Sequence, residues 1–582
     1  MPAPFPSLAR WAAPSALAVL LAASPLAQGG LESEPLSVLV ERLHEAGQLN
    51  GTVLVAERGG VLFAGGAGLA DASWGIPNGP DTRFRIGSVT KQFTAALVMQ
   101  LVEEGRLALD APVTRYLPEY PATGDRVTLH HLLGHTSGVP DYTELPEFER
   151  EIQRASVTLD ALVATFSGLD LAFEPGEGFA YSNSGYVLLG AVLERVTGRS
   201  YGDLLRERLL EPLGLDETAY DDGRTVFPSM ARGYVRLGST LEPAEYADAS
   251  WAYSAGGIVS TVGDLHRWAE ALYRGGPFRS PATAERMRTP QGQTPMAYGL
   301  VVYDQPVGGL EVPTIVHGGF VHGYSSALAY SPEEGRTVVV LDNTGADVQP
   351  ALIALTAHVY GQPVRTPKRS IADVVADAVA SDGIEAAAAR YREARESERS
   401  TYLFRESALN ALGSDYLGRG DLASALGVLA LNAEAYPESA SVHDSLGEAL
   451  LAAGDTTAAA ASYRTALALD PDLPSARAVL ESLGELSARP AVEVDGGLLE
   501  SYAGAYELQP GVVLRVERDG DGLVARLPGT PPQAMEARSE AEFALPALGA
   551  QVTFGRDAGG AGQLTLRQGG VETVAPRVAR DG

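Results

Sequence analysis

The hydrophobic pattern of this 582-residue chain changes its period twice along the sequence. Residues 35–362 mix strand-like alternation with helical runs, residues 370–487 are alanine-rich at helical spacing, and residues 493–582 alternate again between apolar and polar residues. A chain of this length is also too long for a single core. We therefore predict three domains over those ranges, with a linker rich in proline and charge at 361–370. The mixed pattern of the first part indicates an α/β or α+β unit of enzyme size.

The middle part of the chain repeats itself every 34 residues. The recurring residues are Leu412, Gly413, Gly420, Asp421, Ala425 and Pro437, which return as Leu446, Gly447, Gly454, Asp455, Ala459 and Pro471. This period resembles the tetratricopeptide repeat, a helix-turn-helix unit whose small residues let paired helices pack closely. Because about three repeats are needed for a stable stack, we expect residues 370–400 to add a degenerate helical pair or a cap. Alanine-rich helices that pack on the first domain are the alternative.

The last part of the chain is expected to be all-β. The stretch VVLRVERDGDGLVARL predicts a strand, a turn and a second strand, and QVTFGRD and QLTLRQG continue the alternation. We predict a small antiparallel sheet or barrel over residues 493–582.

The N-terminal segment is typical of a secretory signal peptide. Residues 1–28 carry one basic residue, Arg10, before the apolar run WAAPSALAVLLAASPLA. We expect cleavage near residues 27–29, with an uncleaved anchor as the alternative, and no transmembrane helix in the mature chain. The absence of cysteine excludes disulfides and a cysteine nucleophile. We therefore predict an exported protein, either periplasmic or extracellular.

The chain contains few basic residues, and lysine is much rarer among them than arginine. The formal charge of −29 argues against a nucleic-acid partner, because phosphate contacts need clustered cations. Lysine occurs only at Lys91 and Lys368, so arginine supplies nearly every positive charge. A lysine amine can lose its proton when it is buried, whereas an arginine stays charged. Lys91 is therefore a candidate for proton transfer.

Ser88 lies three residues before Lys91 at the start of a predicted amphipathic helix. Residues at this spacing share one face of a helix, about one turn apart. A serine hydroxyl is a poor nucleophile until a neighbour accepts its proton, and a desolvated amine can do so. The unpaired amides at a helix start also favour negative charge. A capping serine beside a solvated lysine is the alternative interpretation.

Two further motifs accompany this SVTK sequence. Tyr181, Ser182 and Asn183 form YSN before a second predicted helix, and HGG begins at His317 at the end of an apolar strand. The three motifs, in this order, resemble those of the serine β-lactamase and penicillin-recognising hydrolase superfamily. The branch they resemble contains class C β-lactamases, D,D-carboxypeptidases, D-aminopeptidases and lactamase-fold esterases. The resemblance covers about residues 35–360 and implies an α+β, β-lactamase/transpeptidase-like domain, an antiparallel sheet with helices on both sides plus a helical subdomain.

The resemblance implies roles for individual residues. Ser88 would attack a carbonyl to form an acyl-enzyme, and either Lys91 or Tyr181 would act as the base. Tyr181 could act as a base only if a cation such as Lys91 lowered the pKa of the phenol. Asn183 would bind the substrate's carbonyl and contact Lys91. The backbone N–H groups of Ser88 and Phe320 would form an oxyanion hole.

The third motif departs from the KTG of true β-lactamases. His317 stands where those enzymes have a lysine that helps to bind a carboxylate, and histidine is largely neutral at pH 7. This departure weakens the case for a β-lactam as the natural substrate. Gly318 and Gly319 allow close approach of the backbone to a ligand, and Gly319 is counted with Asn183, His317 and Phe320 among the substrate-binding candidates.

His131 and His135 are spaced as zinc ligands would be on one helical face. No glutamate lies between them as in HExxH, and no third ligand is evident, so we expect a structural loop, no metal and no organic cofactor.

The predicted function is that of an exported serine hydrolase that cleaves an ester, amide or peptide bond through an acyl-Ser88 intermediate. Its substrate would be a small molecule or a peptide. The alternative is a protein that binds peptidoglycan or β-lactam without turnover, while the helical repeats recruit a protein or peptide partner.

Overall fold

The structure is a computed structural model. It describes residues 34–145, 148, 153–292, 294–486, 492, 494–509, 512–527, 532–545, 550–557, 560–568 and 571–578. The predicted signal peptide therefore lies outside the described residues. The chain divides into two compact units, of which the first contains Pro35–Arg236, Leu241–Pro367 and Val492–Gly582 and the second contains Leu237–Thr240 and Lys368–Ala491.

The chain before residue 368 contains both strands and helices. The strands are β1 (Gly51–Glu57), β2 (Gly60–Ala67), β3 (Leu69–Asp71), β4 (Ile76–Pro77), β5 (Phe84–Arg85), β6 (Ala219–Tyr220), β7 (Tyr234–Leu237), β8 (Thr240–Pro243), β9 (Ile258–Ser260), β10 (Met296–Ala297), β11 (Leu300–Val307), β12 (Leu310–Val321), β13 (Tyr324–Ser331) and β14 (Arg336–Asp342). The helices are α1 (Leu36–Glu45), α2 (Thr90–Glu103), α3 (Leu129–Leu133), α4 (Leu159–Ala164), α5 (Asn183–Thr197), α6 (Tyr201–Leu205), α7 (Glu211–Leu213), α8 (Tyr253–Gly256), α9 (Val262–Tyr273), α10 (Pro281–Arg288) and α11 (Gln349–Val359). In the described part of the chain, no helix is both long and apolar enough to cross a bilayer.

An antiparallel sheet in the order β10-β11-β12-β13-β14-β1-β2 forms the centre of the first unit. Both faces of its middle strands are buried. Val53 and Val55 of β1 pack with α1 and α11, whereas Leu54 and Ala56 face the core that contains α2, α5 and α9. Alternate side chains of a strand point to opposite faces, so a strand buried on both faces is apolar throughout. The predicted α+β domain is confirmed.

Helix α2 lies in the middle of the larger core. Every residue from Thr90 to Met99 is buried, which differs from the expected amphipathic helix. It is covered on all sides because α5, α8 and α10 all contact it. The residues at its N-terminus are therefore held rigidly by the core.

The second unit is built from helix pairs. Its helices are α12 (Ile371–Asp382), α13 (Ile384–Ser397), α14 (Glu406–Gly418), α15 (Leu422–Ala435), α16 (Ala440–Ala452), α17 (Thr456–Leu469) and α18 (Pro474–Ser482), with a short parallel pair, β15 (Arg369–Ser370) and β16 (Tyr402–Leu403).

The residues that repeat in sequence occupy equivalent places in these helix pairs. A Cβ atom on Gly413 would lie 2.4 Å from Leu429 in the paired helix, and one on Gly447 would lie 2.9 Å from Tyr463. The side chains of Asp421 and Asp455 cap α15 and α17. The pairs therefore repeat with the 34-residue period, and their assignment to the tetratricopeptide family stays a prediction.

The C-terminal residues form a closed barrel. Its strands are β17 (Gly504–Gln509), β18 (Val512–Asp519), β19 (Gly522–Arg526), β20 (Gln533–Ala537), β21 (Glu542–Leu545), β22 (Ala550–Asp557), β23 (Gly560–Gln568) and β24 (Val571–Val578). The all-β prediction is confirmed, but a helix, α19 (Gly496–Tyr502), precedes the first strand. Asp495 caps this helix, and the ring of Tyr502 stacks on Phe554 at 4.2 Å in the barrel core. A seven-residue helix is too short to show a helical period in the sequence.

Candidate active site

Ser88 lies in a 3-10 turn, Gly87–Val89, that leads into α2. Gly87 has a φ of +50°, and a Cβ atom there would lie 2.6 Å from the backbone nitrogen of Phe320. Only glycine accepts both this backbone angle and this contact. The turn therefore presses against β12, and Ser88 is half-buried at the junction.

Lys91 is fully buried one turn beyond Ser88. Its Nζ atom lies 3.0 Å from Ser88 Oγ, 2.7 Å from Asn183 Oδ1 and 2.8 Å from the carbonyl oxygen of Ala255. Burial lowers the pKa of Lys91 to about 7, and the negative charge of Asp141 opposes this effect. A large part of the Lys91 population is therefore neutral near pH 7.

The three partners of Lys91 suit a neutral amine. A neutral amine has two N–H groups and one lone pair. Asn183 Oδ1 and the Ala255 carbonyl oxygen can only accept hydrogen bonds, so they take the two N–H groups. The lone pair then faces the Ser88 hydroxyl, which can donate its proton. This arrangement is the one that a base for Ser88 requires.

Asn183 begins α5 and is held by Asp141. The Oδ2 atom of Asp141 accepts from the backbone N–H of Asn183 at 3.1 Å and from its Nδ2 at 2.9 Å. The Oδ1 atom accepts from the backbone N–H of Thr143 at 3.0 Å. Asp141 was not named from the sequence, and its only local signal is its position two residues before Thr143, where aspartate commonly caps a turn.

Tyr181 packs over Lys91. Nζ of Lys91 lies 4.9 Å from the centre of the Tyr181 ring, and that ring stacks on His135 at 4.3 Å. Burial raises the pKa of Tyr181 above its ordinary value, and a hydrogen bond with Ser88 only partly opposes this effect. The net shift of the Tyr181 pKa is upward, opposite to the shift that a Tyr181 base would require, so the phenol keeps its proton at neutral pH.

The two histidines considered as zinc ligands do not share a helical face. Helix α3 ends at Leu133, and His135 has a φ of +57°, so the helical spacing assumed from the sequence is wrong. His131 Nδ1 accepts from the N-terminal backbone of α3, whereas His135 Nδ1 accepts from the N–H of Ser182 at 3.1 Å. Burial holds the pKa of His135 well below its usual range. Within the described ranges, no three histidine or acidic side chains come together in a metal-binding group.

The third motif lies on β12 against the Ser88 turn. A Cβ atom on Gly319 would lie 2.0 Å from the carbonyl oxygen of Ile86 and 2.9 Å from the backbone nitrogen of Ser88. His317 is buried, and its Nδ1 donates to the carbonyl oxygen of Gly318 at 2.6 Å. Burial, followed by the charge of Lys91, lowers the pKa of His317 to about 4. His317 is therefore neutral at pH 7 and carries no charge that could bind a carboxylate.

The site thus gathers residues from distant parts of the sequence around Lys91. The residues named from sequence motifs are Ser88, Lys91, Tyr181, Asn183, His317, Gly319 and Phe320, and the structure brings all of them to this site. Phe320 contributes its backbone, while its side chain is 59% exposed. The structure adds Asp141, His135 and the carbonyl group of Ala255, which sequence motifs did not reveal.

Comparison with known proteins identifies relatives of this chain. The family model described as Beta-lactamase matches residues 37–393, which include every residue of the candidate site. Penicillin-binding protein 4* of Bacillus subtilis (strain 168) is 33% identical over 355 residues, or 57% of this chain and 77% of that protein. The putative penicillin-binding protein PbpX of the same organism is 29% identical over 50% of this chain and 70% of that protein. A solved structure of a penicillin binding protein from Bacillus halodurans is 28% identical over 54% of this chain and 97% of that chain, with a TM-score of 0.49.

Proposed function

Because this chain belongs to the β-lactamase/transpeptidase-like superfamily of serine hydrolases, we propose that it hydrolyses an ester, amide or peptide bond through an acyl-Ser88 intermediate. The observation that carries this proposal is the buried, partly neutral Lys91 amine 3.0 Å from the Ser88 hydroxyl. We also propose that the protein is exported, which rests on the signal-like character of residues 1–28.

Acylation begins with attack of Ser88 Oγ on the substrate carbonyl carbon. Lys91 Nζ takes the hydroxyl proton, and the carbonyl oxygen becomes an oxyanion. The backbone N–H groups of Ser88 and Phe320 donate to that oxyanion. The close approach of β12 to the Ser88 turn, which Gly319 permits, supports this role.

Departure of the leaving group needs a proton. Tyr181 hydrogen-bonds to Ser88 and keeps its proton at neutral pH, so it is suited to donate that proton. The resulting phenolate then recovers a proton from the Lys91 ammonium. The bond between carbonyl carbon and leaving group breaks, and acyl-Ser88 remains.

Deacylation repeats these steps with water. Water attacks the acyl carbon while neutral Lys91 accepts one of its protons. The bond from the acyl carbon to Ser88 Oγ then breaks, Ser88 regains its proton from Lys91, and the acid product leaves. All proton transfers are thus carried by Lys91 and Tyr181.

The state of His317 bears on the substrate class. A neutral His317 offers no positive charge to a substrate carboxylate, and its buried Nε2 atom has no hydrogen-bond partner among the described residues. We therefore favour a substrate without a carboxylate at this position, such as a small acyl ester or a D-amino-acid amide, over a β-lactam.

Intact mass spectrometry of the purified protein tests this proposal. The protein is incubated with a p-nitrophenyl ester, a D-aminoacyl p-nitroanilide and a cephalosporin, each beside Ser88→Ala. We expect turnover of at least one substrate and a transient acyl adduct that Ser88→Ala lacks. An adduct that forms once and persists would instead support the sensor that binds without turnover. The absence of both an adduct and turnover would refute the hydrolase proposal.

A further inference from the structure

Asp141 is a buried carboxylate beside the proposed catalytic pair. The residue is 8% exposed, and its oxygen atoms accept hydrogen bonds from the Asn183 backbone, the Asn183 side chain and the Thr143 backbone. No arginine or lysine in the part of the chain that the structure describes forms an ion pair with it. Burial of a carboxylate without an ion-pair partner is unfavourable, which raises the question of what function its hydrogen bonds to Asn183 could serve.

We propose that Asp141 is a positioning residue, which acts through Asn183 to turn the Lys91 amine toward Ser88. This inference rests on the proposed hydrolase function, because it assigns Asp141 to the same reaction. Asp141 itself does not touch Ser88 in this arrangement.

The argument starts from the two orientations open to the Asn183 amide. The oxygen and nitrogen of an amide have nearly the same size, so shape alone does not choose between them. A carboxylate only accepts hydrogen bonds, so Asp141 selects the orientation in which Nδ2 faces it. Oδ1 then faces Lys91 at 2.7 Å. The reverse orientation would place two acceptors, Asn183 Oδ1 and the Asp141 carboxylate, against each other.

The orientation of Asn183 in turn sets that of Lys91. Oδ1 of Asn183 and the carbonyl oxygen of Ala255 take two positions around Nζ, which leaves the third toward Ser88. If Asn183 presented Nδ2 instead, the Lys91 lone pair would turn to that donor. Lys91 would then no longer serve Ser88 as a base.

The charges around Lys91 give Asp141 a second, electrostatic effect. The other polar groups packed around the amine are the imidazoles of His135 and His317 and the phenols of Tyr181 and Tyr186. Both imidazoles and both phenols are uncharged at pH 7, because burial lowers the pKa of the first two and raises that of the last two. The Asp141 carboxylate therefore supplies the negative charge that raises the pKa of Lys91 against burial.

The test compares Asp141→Asn with the wild-type protein in two measurements. The first is kcat/KM against pH with the substrate found for the wild type. We expect the plateau of kcat/KM to be about ten- to a hundredfold lower, because a displacement of a catalytic group by about 1 Å has effects of this order. We also expect the acidic limb to move to lower pH, since Lys91 without the Asp141 charge stays neutral further into acid. An acidic limb that does not move would overturn the proposal.

The second measurement does not depend on turnover. Protein labelled with ¹³C-lysine contains only two lysines, so the ¹³Cε resonance of Lys91 can be titrated directly, with Lys368→Arg for assignment. We expect a lower titration midpoint in Asp141→Asn than in the wild type. An unchanged titration midpoint of Lys91 would overturn the proposal, whether or not the wild type is active. Absence of activity in the wild type would separately refute the hydrolase function.

Two control variants separate positioning from a purely structural role. Thr143→Val removes a neutral acceptor that lies 3.3 Å from Asn183 Nδ2 and should leave the Lys91 midpoint unmoved. Asp141→Glu keeps the charge but displaces it, so it should restore the wild-type midpoint while kcat stays low. If Asp141→Asn fails to fold, the Glu variant still decides, because a wild-type kcat there would contradict positioning by Asp141.

Discussion

Lys91 shows how burial changes the chemistry of a single residue. Removal from water lowers the pKa of its amine to about 7, so the residue exchanges a proton readily at neutral pH. An arginine at the same position would stay charged in any protein environment. The use of lysine here, in a chain that otherwise relies on arginine, follows from this difference.

Replacement of Lys91 by arginine should therefore remove activity. We expect Lys91→Arg to lower kcat/KM by about a thousandfold, within the range typical for loss of a general base. The comparison uses the substrate that Ser88 turns over, with circular dichroism to confirm folding. Activity within about tenfold of the wild type would contradict a base at this position.

Part of this site could be predicted from sequence motifs, whereas the remaining residues were identified only from long-range contacts in the structure. Ser88 and Lys91 are close in sequence, so helical spacing alone places them together. Asp141 and Ala255 lie 50 and 164 residues beyond Lys91, and neither belongs to the SVTK, YSN or HGG motif. A carbonyl group carries no side-chain signal, so the contact between Lys91 and Ala255 could be found only from the fold.

At the scale of elements, the approach of β12 to the Ser88 turn sets the positions of the two backbone N–H groups that we propose as oxyanion donors. Two neighbouring glycines in β12 differ in their surroundings. A Cβ atom on Gly319 would overlap the Ile86 carbonyl oxygen at 2.0 Å, whereas one on Gly318 would meet only the Ser326 carbonyl oxygen at an ordinary 3.5 Å.

These two glycines form a matched pair for mutation. Gly319→Ala should push β12 away from Ser88 and lower kcat by about a hundred- to a thousandfold, as loss of an oxyanion donor does. Gly318→Ala should keep kcat within about threefold of the wild type, because its Cβ has room and ordinary contacts cost little. Equal losses in the two variants would argue against β12 as part of the oxyanion hole.

Elements whose hydrophobic residues recur with a clear period over many positions were predicted correctly. A short helix was missed, and the burial of a central helix was predicted incorrectly. The alternating strands of the barrel are confirmed, while the short α19 was missed. Helix α2 was expected to be amphipathic because its apolar residues recur at helical spacing. Its polar residues, such as Thr94, are buried too, since their hydrogen bonds go to neighbouring elements such as Tyr201.

At the scale of the whole molecule, burial of Lys91, the proposed base, destabilises the folded state. Its pKa is about 7 in the folded state and 10.5 when unperturbed, so the unfolded chain binds more protons between those values and stability rises with pH there. The full penalty of burying the charged amine applies below about pH 7.

Lys91→Met should reveal this penalty. We expect the gain in Tm of Lys91→Met over the wild type to be larger near pH 6 than near pH 9. The reason is that only the wild type buries an amine that is charged at low pH, and this burial destabilises its folded state. Tryptophan fluorescence follows this unfolding selectively, since Trp74, Trp251 and Trp268 are the tryptophans after residue 35 and all precede residue 362. A Tm difference that grows with pH would contradict the lowered pKa of Lys91.

The helical pairs of the second unit set a rule for how its length can vary. Gly413 and Gly447 meet the paired helices in the same way, and Asp421 and Asp455 cap successive helices, all at a spacing of 34 residues. An insertion or deletion of 34 residues would reproduce each interface, whereas any other length would turn a helix out of phase with its neighbour. A change in the length of this unit should therefore be tolerated best in steps of one whole helix pair.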